Sequence, residues 1–395
     1  MNIISLCQAA NFSVFKKIFS LVNNELKINK IGIFVADAFY FKKNFNNTDF
    51  KGYDCTFLKE WDSVKAGLVR DPDYDLISSR QKMLGQPSLR SAFLADRRLF
   101  FGRYCKSIQS YKPRFTDKQM MGVLTEAIER IELFLDKVKP DIILAFVPVT
   151  LHEYLILRYA EKRGIKIRLL RSTKIENFIT FHDSLFGLPK TIKQRIIENE
   201  EYNEAIKDIS NKYLEKTRKE GAIYEGMHSK DYSFKHFKLM KLTLGILSAI
   251  KNEFLKLIDY DLKHDNHNPG FLIPVLLENI LIPYRAFTAR FYIDKLNKIK
   301  LKNITKNQEF CMYPLHFEPE IALQIYGRVL QNQIETVRII SNSLPPNMIL
   351  IVKEHPRSAG LRTLRYYRKL SEIPNVIIEK AETPSINTVK KSKIV

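Results

Sequence analysis

The sequence predicts an α/β protein in which two regions of strand–helix alternation flank a helical insertion. Three observations carry this. Short apolar runs alternate with amphipathic stretches of helix length through residues 1–190, the pattern of a doubly wound parallel sheet. From Pro189 the texture turns charged and helical, and alternation resumes only at Phe310. Two polar strings, Tyr313-Pro-Leu-His-Phe-Glu-Pro-Glu320 and Lys353-Glu-His-Pro356, each follow a short apolar run, so both read as loops leaving the ends of strands.

Taken in order, Asn2–Leu6 reads as a buried strand and Phe12–Leu26 as a helix, with Phe15, Ile18, Phe19 and Val22 at helical spacing. Ile31–Ala36 is rich in β-branched residues and reads as a second strand, and Tyr53–Leu58 as a third. Turn signals at Asp71-Pro-Asp73 and Gly85-Gln-Pro87 punctuate a mixed region. Thr116 is a good N-cap for an amphipathic helix to Val138, which Pro140 ends. Asp141–Val147 is a strand, Thr150–Arg163 a helix stopped by Gly164, and Ile165–Leu170 a strand. These elements form an N-terminal Rossmann-like domain over 1–190.

Residues 191–302 make the helical insertion. Thr191–Lys219 is charged and helical. Asp231–Tyr260 is basic and amphipathic, with Phe234, Phe237, Met240, Leu244, Leu247, Ile250 and Phe254 on its apolar side. Lys263–Gly270 is a polar loop, Phe271–Lys298 is helical or irregular, and Asn303–Gln308 is a linker. In the third region, 303–395, apolar runs at Phe310–Met312 and Met348–Val352 bracket a helix-length stretch, Ile321–Ser341, closed by Leu344-Pro345-Pro346. Strand–helix–strand at this spacing forces the strands parallel. Both polar strings then leave the carboxyl ends of neighbouring strands, the edge where open α/β sheets bind ligands. Further strands are expected near Val376 and at Lys393-Ile-Val395. A sequence stopping on a parallel strand predicts that this domain is truncated, by ~60–100 residues at ordinary domain size.

Composition narrows the function class. Apolar residues at 45% and charged residues at 27% describe a soluble globular chain. Lys and Arg number 64 against 43 Asp and Glu, a net charge of +21. That balance suits an anionic membrane face, nucleic acid or phosphorylated substrates, or simply sets solubility. No nucleic-acid module or clustered aromatic–basic stripe accompanies it, so no nucleic-acid partner is expected. Cys7, Cys55, Cys105 and Cys311 are widely spaced, without a CxxC pair. They support neither zinc, redox motif nor disulfide framework, and fit a reducing cytoplasm. Met1-Asn-Ile-Ile-Ser-Leu-Cys7 has no basic region or long apolar core of a signal peptide. The most apolar stretch, Phe271–Phe287, is interrupted by Pro274, Glu278, Pro283 and Arg285. A spanning helix needs ~20 mostly apolar residues, so no crossing is expected. The basic stretch Asp231–Tyr260 either packs on its own protein or lies on an anionic membrane surface.

The loop residues carry the chemistry. Pro356 holds His355 extended, so its imidazole can project from the strand end as a donor. Lys353 and Arg357 add positive charge, and a helix expected over Ser358–Leu370 would point its N-terminus at the same place. A phosphate suits this loop; a His-Pro turn without a ligand is the plain alternative. Pro319 suits the first turn of the following helix and Glu320 its dipole. Glu318, extended before Pro319, can reach a ligand hydroxyl. His316 either meets the ligand or faces the sheet core. His264, His267 and Asp265 share a loop and either bind metal or are solvated. Asp71-Pro-Asp73 and Asp73-Tyr-Asp75 lie in a turn region away from these loops, so no metal site is expected.

The order Tyr-Pro-Leu-His-Phe-Glu-Pro-Glu, a helix with Asn332-Gln333, Leu-Pro-Pro, and Val-Lys-Glu-His-Pro resembles the capsule polysaccharide biosynthesis family, which includes Kdo-transferase-like glycosyltransferases of bacterial surface polysaccharides. Arg362, Tyr366, Leu370 and Pro374-Asn375-Val376 continue the likeness. Arg171 and Phe181-His-Asp-Ser-Leu-Phe-Gly-Leu-Pro189 resemble the family's stretch after its last N-terminal strand. The specific part covers about Phe310–Ile378.

The resemblance implies a GT-B glycosyltransferase, two Rossmann-like domains of which the second, 303–395, binds the nucleotide sugar. In related transferases a His-Pro pair contacts the phosphate of a CMP-activated sugar, and His355 and Pro356 match it. The implied donor-binding set is His355, Pro356, Lys353, Glu354, Arg357, His316 and Glu318. The donor is a CMP-linked ulosonate such as Kdo or sialic acid, or in second place a UDP-sugar, with no further cofactor. The family's Thr/Ser-Gly-Thr-x-Gly-x-Glu-Ala segment is not in this sequence, which puts the activity of the chain ending at Val395 in question. An acceptor hydroxyl needs a base. Asp37, His152 and Glu153 follow strands on the N-terminal ligand edge, although Asp37 also suits a turn and Glu153 a helix N-terminus. Arg171 is the candidate clamp for an acidic acceptor, or a surface cation. The expected setting is cytoplasmic, peripheral at the inner membrane, with a glycan or lipid-linked acceptor. The alternative is a non-catalytic scaffold binding glycan or membrane in capsule assembly.

Overall fold

The computed structural model describes residues 1–7, 12–45, 53–104, 112–173, 178–187, 189–197, 204–220, 239–302 and 308–395. It divides into two compact units, Met1–Arg103 with Ser110–Glu200 and Lys251–Phe271, and Tyr104–Gln109 with Glu201–Ile250 and Leu272–Val395. The expected helical insertion is thus shared between them. Phe234, Phe237, Cys105 and most of the 303–308 linker lie outside the described residues.

The first unit is an α/β sheet in the order β3-β2-β1-β4-β5-β6. β1 (Asn2–Cys7), β2 (Lys30–Val35), β3 (Asp54–Lys59), β4 (Ile142–Ala145) and β5 (Lys166–Ser172) run parallel, and β6 (Ile179–His182) is antiparallel to β5. Five residues of β1 and five of β2 are buried in a row, as befits central parallel strands covered on both faces. On one face, Ile31, Ile33 and Val35 meet Phe12, Phe15 and Phe19 of α1 (Phe12–Glu25) and the buried Trp61. α2 (Ala38–Asn44) follows β2 and α3 (Glu60–Val69) follows β3, then α4 (Tyr74–Met83) and α5 (Arg97–Phe100). α6 (Asp117–Val138) begins in a capping box, Thr116 with Gln119, and α7 (Leu151–Arg163) in another, Thr150 with Glu153. Gly164, in the left-handed region, ends α7. Phe34, on the second face of β2, stacks on His152 of α7 with ring centroids 5.7 Å apart.

In the second unit β7 (Glu309–Pro314), β8 (Met348–Lys353) and β9 (Val376–Glu379) are parallel in that order. A parallel bridge from Cys311 to Ile394 adds a neighbour on the far side of β7. The resulting order, β9-β8-β7-Ile394, repeats β3-β2-β1-β4 of the first unit. Ala289 and Ile293 of the helix Ile282–Leu301 pack on Leu350, Val352, Tyr367, Val376 and Ile378. Asn297 both donates to the Ile378 carbonyl and accepts from its N–H, covering the free edge of β9.

Three expectations are corrected here. Ile321–Ser341 is not one helix: a π turn at Ala322–Tyr326 and a 3₁₀ turn at Arg328–Leu330 precede a helix, Gln333–Ser343, capped afresh by Asn332. The helix expected over Ser358–Leu370 is a 3₁₀ turn, Pro356–Ser358, then a break, then Leu364–Ser371. The break falls at Gly360, at φ +81°, where a Cβ would collide with the Ile282 carbonyl. Pro274 and Pro283 do not interrupt Phe271–Lys298. Leu272–Leu301 is helical throughout, with a π segment at Leu277–Leu281. Its wider turn, with the Ile282 N–H bonded to the Leu277 carbonyl, accommodates the donor that Pro283 lacks. Leu272–Lys298 therefore has the length and apolarity of a membrane-crossing helix.

Candidate functional site

The two polar strings come together. Pro314 and Lys353 are register partners at the carboxyl ends of β7 and β8, and the Leu315 N–H extends the pairing to the Lys353 carbonyl at 2.8 Å. Leu315 is buried, so strand alternation turns the next residue outward, and His316 is exposed. His316 therefore does not face the sheet core.

His355 leaves β8 with extended backbone, as Pro356 requires, and its Nδ1 accepts from the Arg357 N–H at 3.1 Å. That bond assigns the proton of a neutral ring to Nε2. Burial depresses the imidazole to about 4; Glu354 opposes this, while Arg362, Arg357 and His316 add to it. His355 is thus a neutral donor at physiological pH. The Phe317 ring lies 6.2 Å from it, and the exposed Arg357 guanidinium stands 5.5 Å from the Phe317 centroid. His316, Phe317, His355 and Arg357 therefore form one group offering two imidazoles and a cation.

The other expected donor residues turn inward. The Lys353 ammonium is buried and donates to the carbonyls of Glu354, Lys380 and Ala381 at 3.1, 2.5 and 3.2 Å. All three protons are occupied by backbone, so its expected phosphate contact is replaced by a bracing role. Glu354 is buried, paired with Arg362, and accepts from the Tyr367 hydroxyl at 2.8 Å and the His355 N–H at 2.7 Å. Glu318 is also buried, bonded by the Gln333 amide and 3.5 Å from Arg362, and does not reach outward. Arg362, 1% exposed, donates to the His316 carbonyl at 2.6 Å. Burial opposes its charge, but Glu354, Tyr366 and Glu318 outweigh that and hold it cationic. Gln333 grips the same backbone, accepting from the His316 N–H at 2.6 Å and donating to its carbonyl at 3.1 Å. The sequence reading missed Arg362, Gln333 and Phe317 as site residues. Phe317 sits inside a string already singled out, and Gln333 and Arg362 stand among the residues that carry the family likeness, though their spacing does not mark them as braces. A cavity of ≈ 250 Å³, lined by Lys300, Pro346, Met348 and Asn375, opens at the opposite, amino-end edge of this sheet.

On the first unit's carboxyl edge, the expected acceptor residues are mostly committed elsewhere. His152 is fully buried, its Nε2 2.7 Å from Ser63 Oγ, and burial lowers it to about 3. Glu153 is buried and accepts from Val149 N, Thr150 N and Thr150 Oγ1. Both serve the core and helix cap rather than an acceptor. Asp37 is half-buried, caps α2 through the Tyr40 N–H, and accepts from Asn268 Nδ2 at 3.0 Å. Arg171 is half-buried and donates to the Leu185 carbonyl at 2.8 Å. The loop expected to be solvated is buried: Asp265, Asn266 and His267 are at most 5% exposed. Asp265 accepts from the N–H groups of Phe39 and His267. His267 Nε2 lies 2.8 Å from the carboxylate of buried Glu60, whose pKa burial and then Asp96 push well up. Sequence spacing could not reveal this pair, which brings residues from α3 and the 265–268 loop together. No group of three metal-ligating side chains occurs among the described residues.

No protein-family model, curated protein or solved structure matches the chain.

Proposed function

We propose that the chain is a glycosyltransferase of the GT-B type, building a bacterial surface polysaccharide from a nucleotide sugar. The donor of first choice is a CMP-linked ulosonate, the second a UDP-sugar, and the acceptor a glycan or glycolipid. The observation that supports this most is the His355 imidazole, neutral and with its Nε2 proton fixed, beside His316 and Arg357 where β7 and β8 end. When the sugar departs, negative charge grows on the nucleotide phosphate. Two N–H donors and a guanidinium held by folded backbone stabilise that charge without rearranging. The buried Arg362–Glu354–Gln333 network keeps the donors in place, which is the positioning such electrostatics demand. Pro356 restricts the His355 backbone. Asp37 is the remaining candidate base for the acceptor hydroxyl, and Arg171 the candidate for an acidic acceptor group.

Titration calorimetry with CMP, UDP and AMP tests the reading. Binding of CMP or UDP that His355→Ala and Arg357→Ala each weaken ~10-fold or more, about 1.4 kcal/mol, supports it. Absence of nucleotide binding, or binding indifferent to both substitutions, overturns it; glycan binding without nucleotide affinity would favour a non-catalytic scaffold.

A further inference from the structure

The helical run Leu272–Leu301 displays an apolar row on its outer side. Ile273, Leu276, Ile280, Tyr284, Phe287 and Phe291 are 37–61% exposed, and they recur every three or four residues, the spacing of one helical face. Over Leu272–Lys298 only 6% of the most apolar 18-residue window is buried, at a mean hydropathy of 1.3. The adjoining helix, Leu239–Ile258 within the basic stretch, contributes more: Leu244, Leu247 and Ile250 are 52–64% exposed, and Gly245 sits where a Cβ would lie 3.3 Å from Val275. Exposed apolar surface on this scale marks an interaction site.

The opposite face of the same helix is taken. Ala289 and Ile293 belong to the core of the second unit, Asn297 is bonded to β9, and the backbone at Ile282 and Ala286 abuts Gly360. A helix held along one side by a folded sheet cannot cross a bilayer without unfolding that sheet. It can lie in the interface, apolar face down, to the depth an amphipathic helix reaches. The row's composition and surroundings fit lipid. It mixes aliphatic side chains with Tyr284, Phe287 and Phe291, aromatic rings suited to the headgroup boundary, and runs on into exposed Lys295 and Lys298. The chain's net charge of +21 complements an anionic leaflet.

We infer that the outer face of Leu272–Leu301 is a membrane-docking surface that lays the second unit onto anionic lipid without spanning it. This centres the membrane contact on Leu272–Leu301, with Leu244, Leu247 and Ile250 of the basic stretch Asp231–Tyr260 extending it, and it does not depend on the transferase reading.

Co-flotation of the full chain with mixed phosphatidylglycerol–phosphatidylcholine vesicles tests it. The expected result is binding that falls with added salt and is weaker on pure phosphatidylcholine. It should drop ~10-fold or more in the double variant Ile280→Glu/Phe287→Glu and less in Lys295→Gln/Lys298→Gln. These positions point away from the core, and an unchanged circular-dichroism melt identifies variants that still fold. A Phe287→Trp variant adds a second readout, a blue shift of the introduced indole's emission on vesicle addition. No flotation, flotation unaffected by the double variant in folded protein, or an emission that stays unshifted in Phe287→Trp overturns the inference. So does a stable dimer by sedimentation equilibrium that Ile280→Glu/Phe287→Glu dissociates, since a second copy would then be the occupant.

Discussion

The Arg362 guanidinium donates to the main-chain carbonyl of His316 at 2.6 Å from a position only 1% exposed. Its other terminal nitrogen pairs with Glu354, the residue before His355. One buried cation therefore ties together the two loops that carry exposed His316 and half-buried His355.

Replacing it should be costly. Arg362→Met leaves the Glu354 carboxylate buried without its countercharge, a change worth ~3–5 kcal/mol. Urea unfolding should show that loss, and Arg362→Met/Glu354→Leu should recover part of it. Arg362→Lys should behave like the loss, because one ammonium cannot serve Glu354 and the His316 carbonyl in the planar geometry of a guanidinium.

Acid should destabilise the fold through its histidines. Burial holds His355 to about 4 and His152 to about 3, against an ordinary 6.5. As pH falls below 6.5 the unfolded chain takes up protons that the folded chain refuses. The stabilisation present above that pH is lost progressively as pH drops toward and through the folded values. Urea midpoints measured from pH 7 to pH 4 should fall. His355→Gln should shallow the slope by up to one proton, about 1.4 kcal/mol per pH unit.

Glu60, 2.8 Å from His267, makes the opposite case. Burial raises the Glu60 carboxyl, so its stabilising effect is complete below the unfolded value and lost as pH rises through the folded one. A neutral Gln imitates the protonated acid. Glu60→Gln should therefore keep stability at pH 7 within ~1 kcal/mol. A loss of ~3–5 kcal/mol on chemical denaturation would instead identify a charged buried pair.

The crossing of α3 and α6 is set by two glycines. A Cβ on Gly67 would strike the Val123 backbone, and one on Gly122 would strike the Gly67 carbonyl. Gly67→Ala and Gly122→Ala should each cost ~1–3 kcal/mol or more by overpacking. Thr116→Ala, at the start of the same α6, should cost ~1 kcal/mol through its lost cap. Thermal melts of the three variants should separate these effects.

Local chemistry made much of the fold legible. The alternation of Asn2–Leu6, Ile31–Ala36 and Asp141–Val147 with amphipathic helices announced a parallel sheet, and Thr116, Thr150 and Gly164 marked helix ends where they fall. Pro356 ensured that His355 would be extended. Pro283 misled, because a π turn absorbs a missing donor, and Gly360 ended a helix that its flanking residues favoured.

What the sequence determined by itself was which strands are buried, the parallel pairing of β7 with β8, and the arrival of His316 and His355 at one edge. These depend on side-chain period, caps and connection length, all local quantities. Only the tertiary structure decided which polar residues of those loops face outward. Lys353, Glu354 and Glu318 turn inward because Arg362, Gln333 and three backbone carbonyls, most of them distant in the chain, supply the partners that buried charges require. The outer row of Leu272–Leu301 was decided in the same way, since a helix's exposed side is whatever its neighbours leave uncovered.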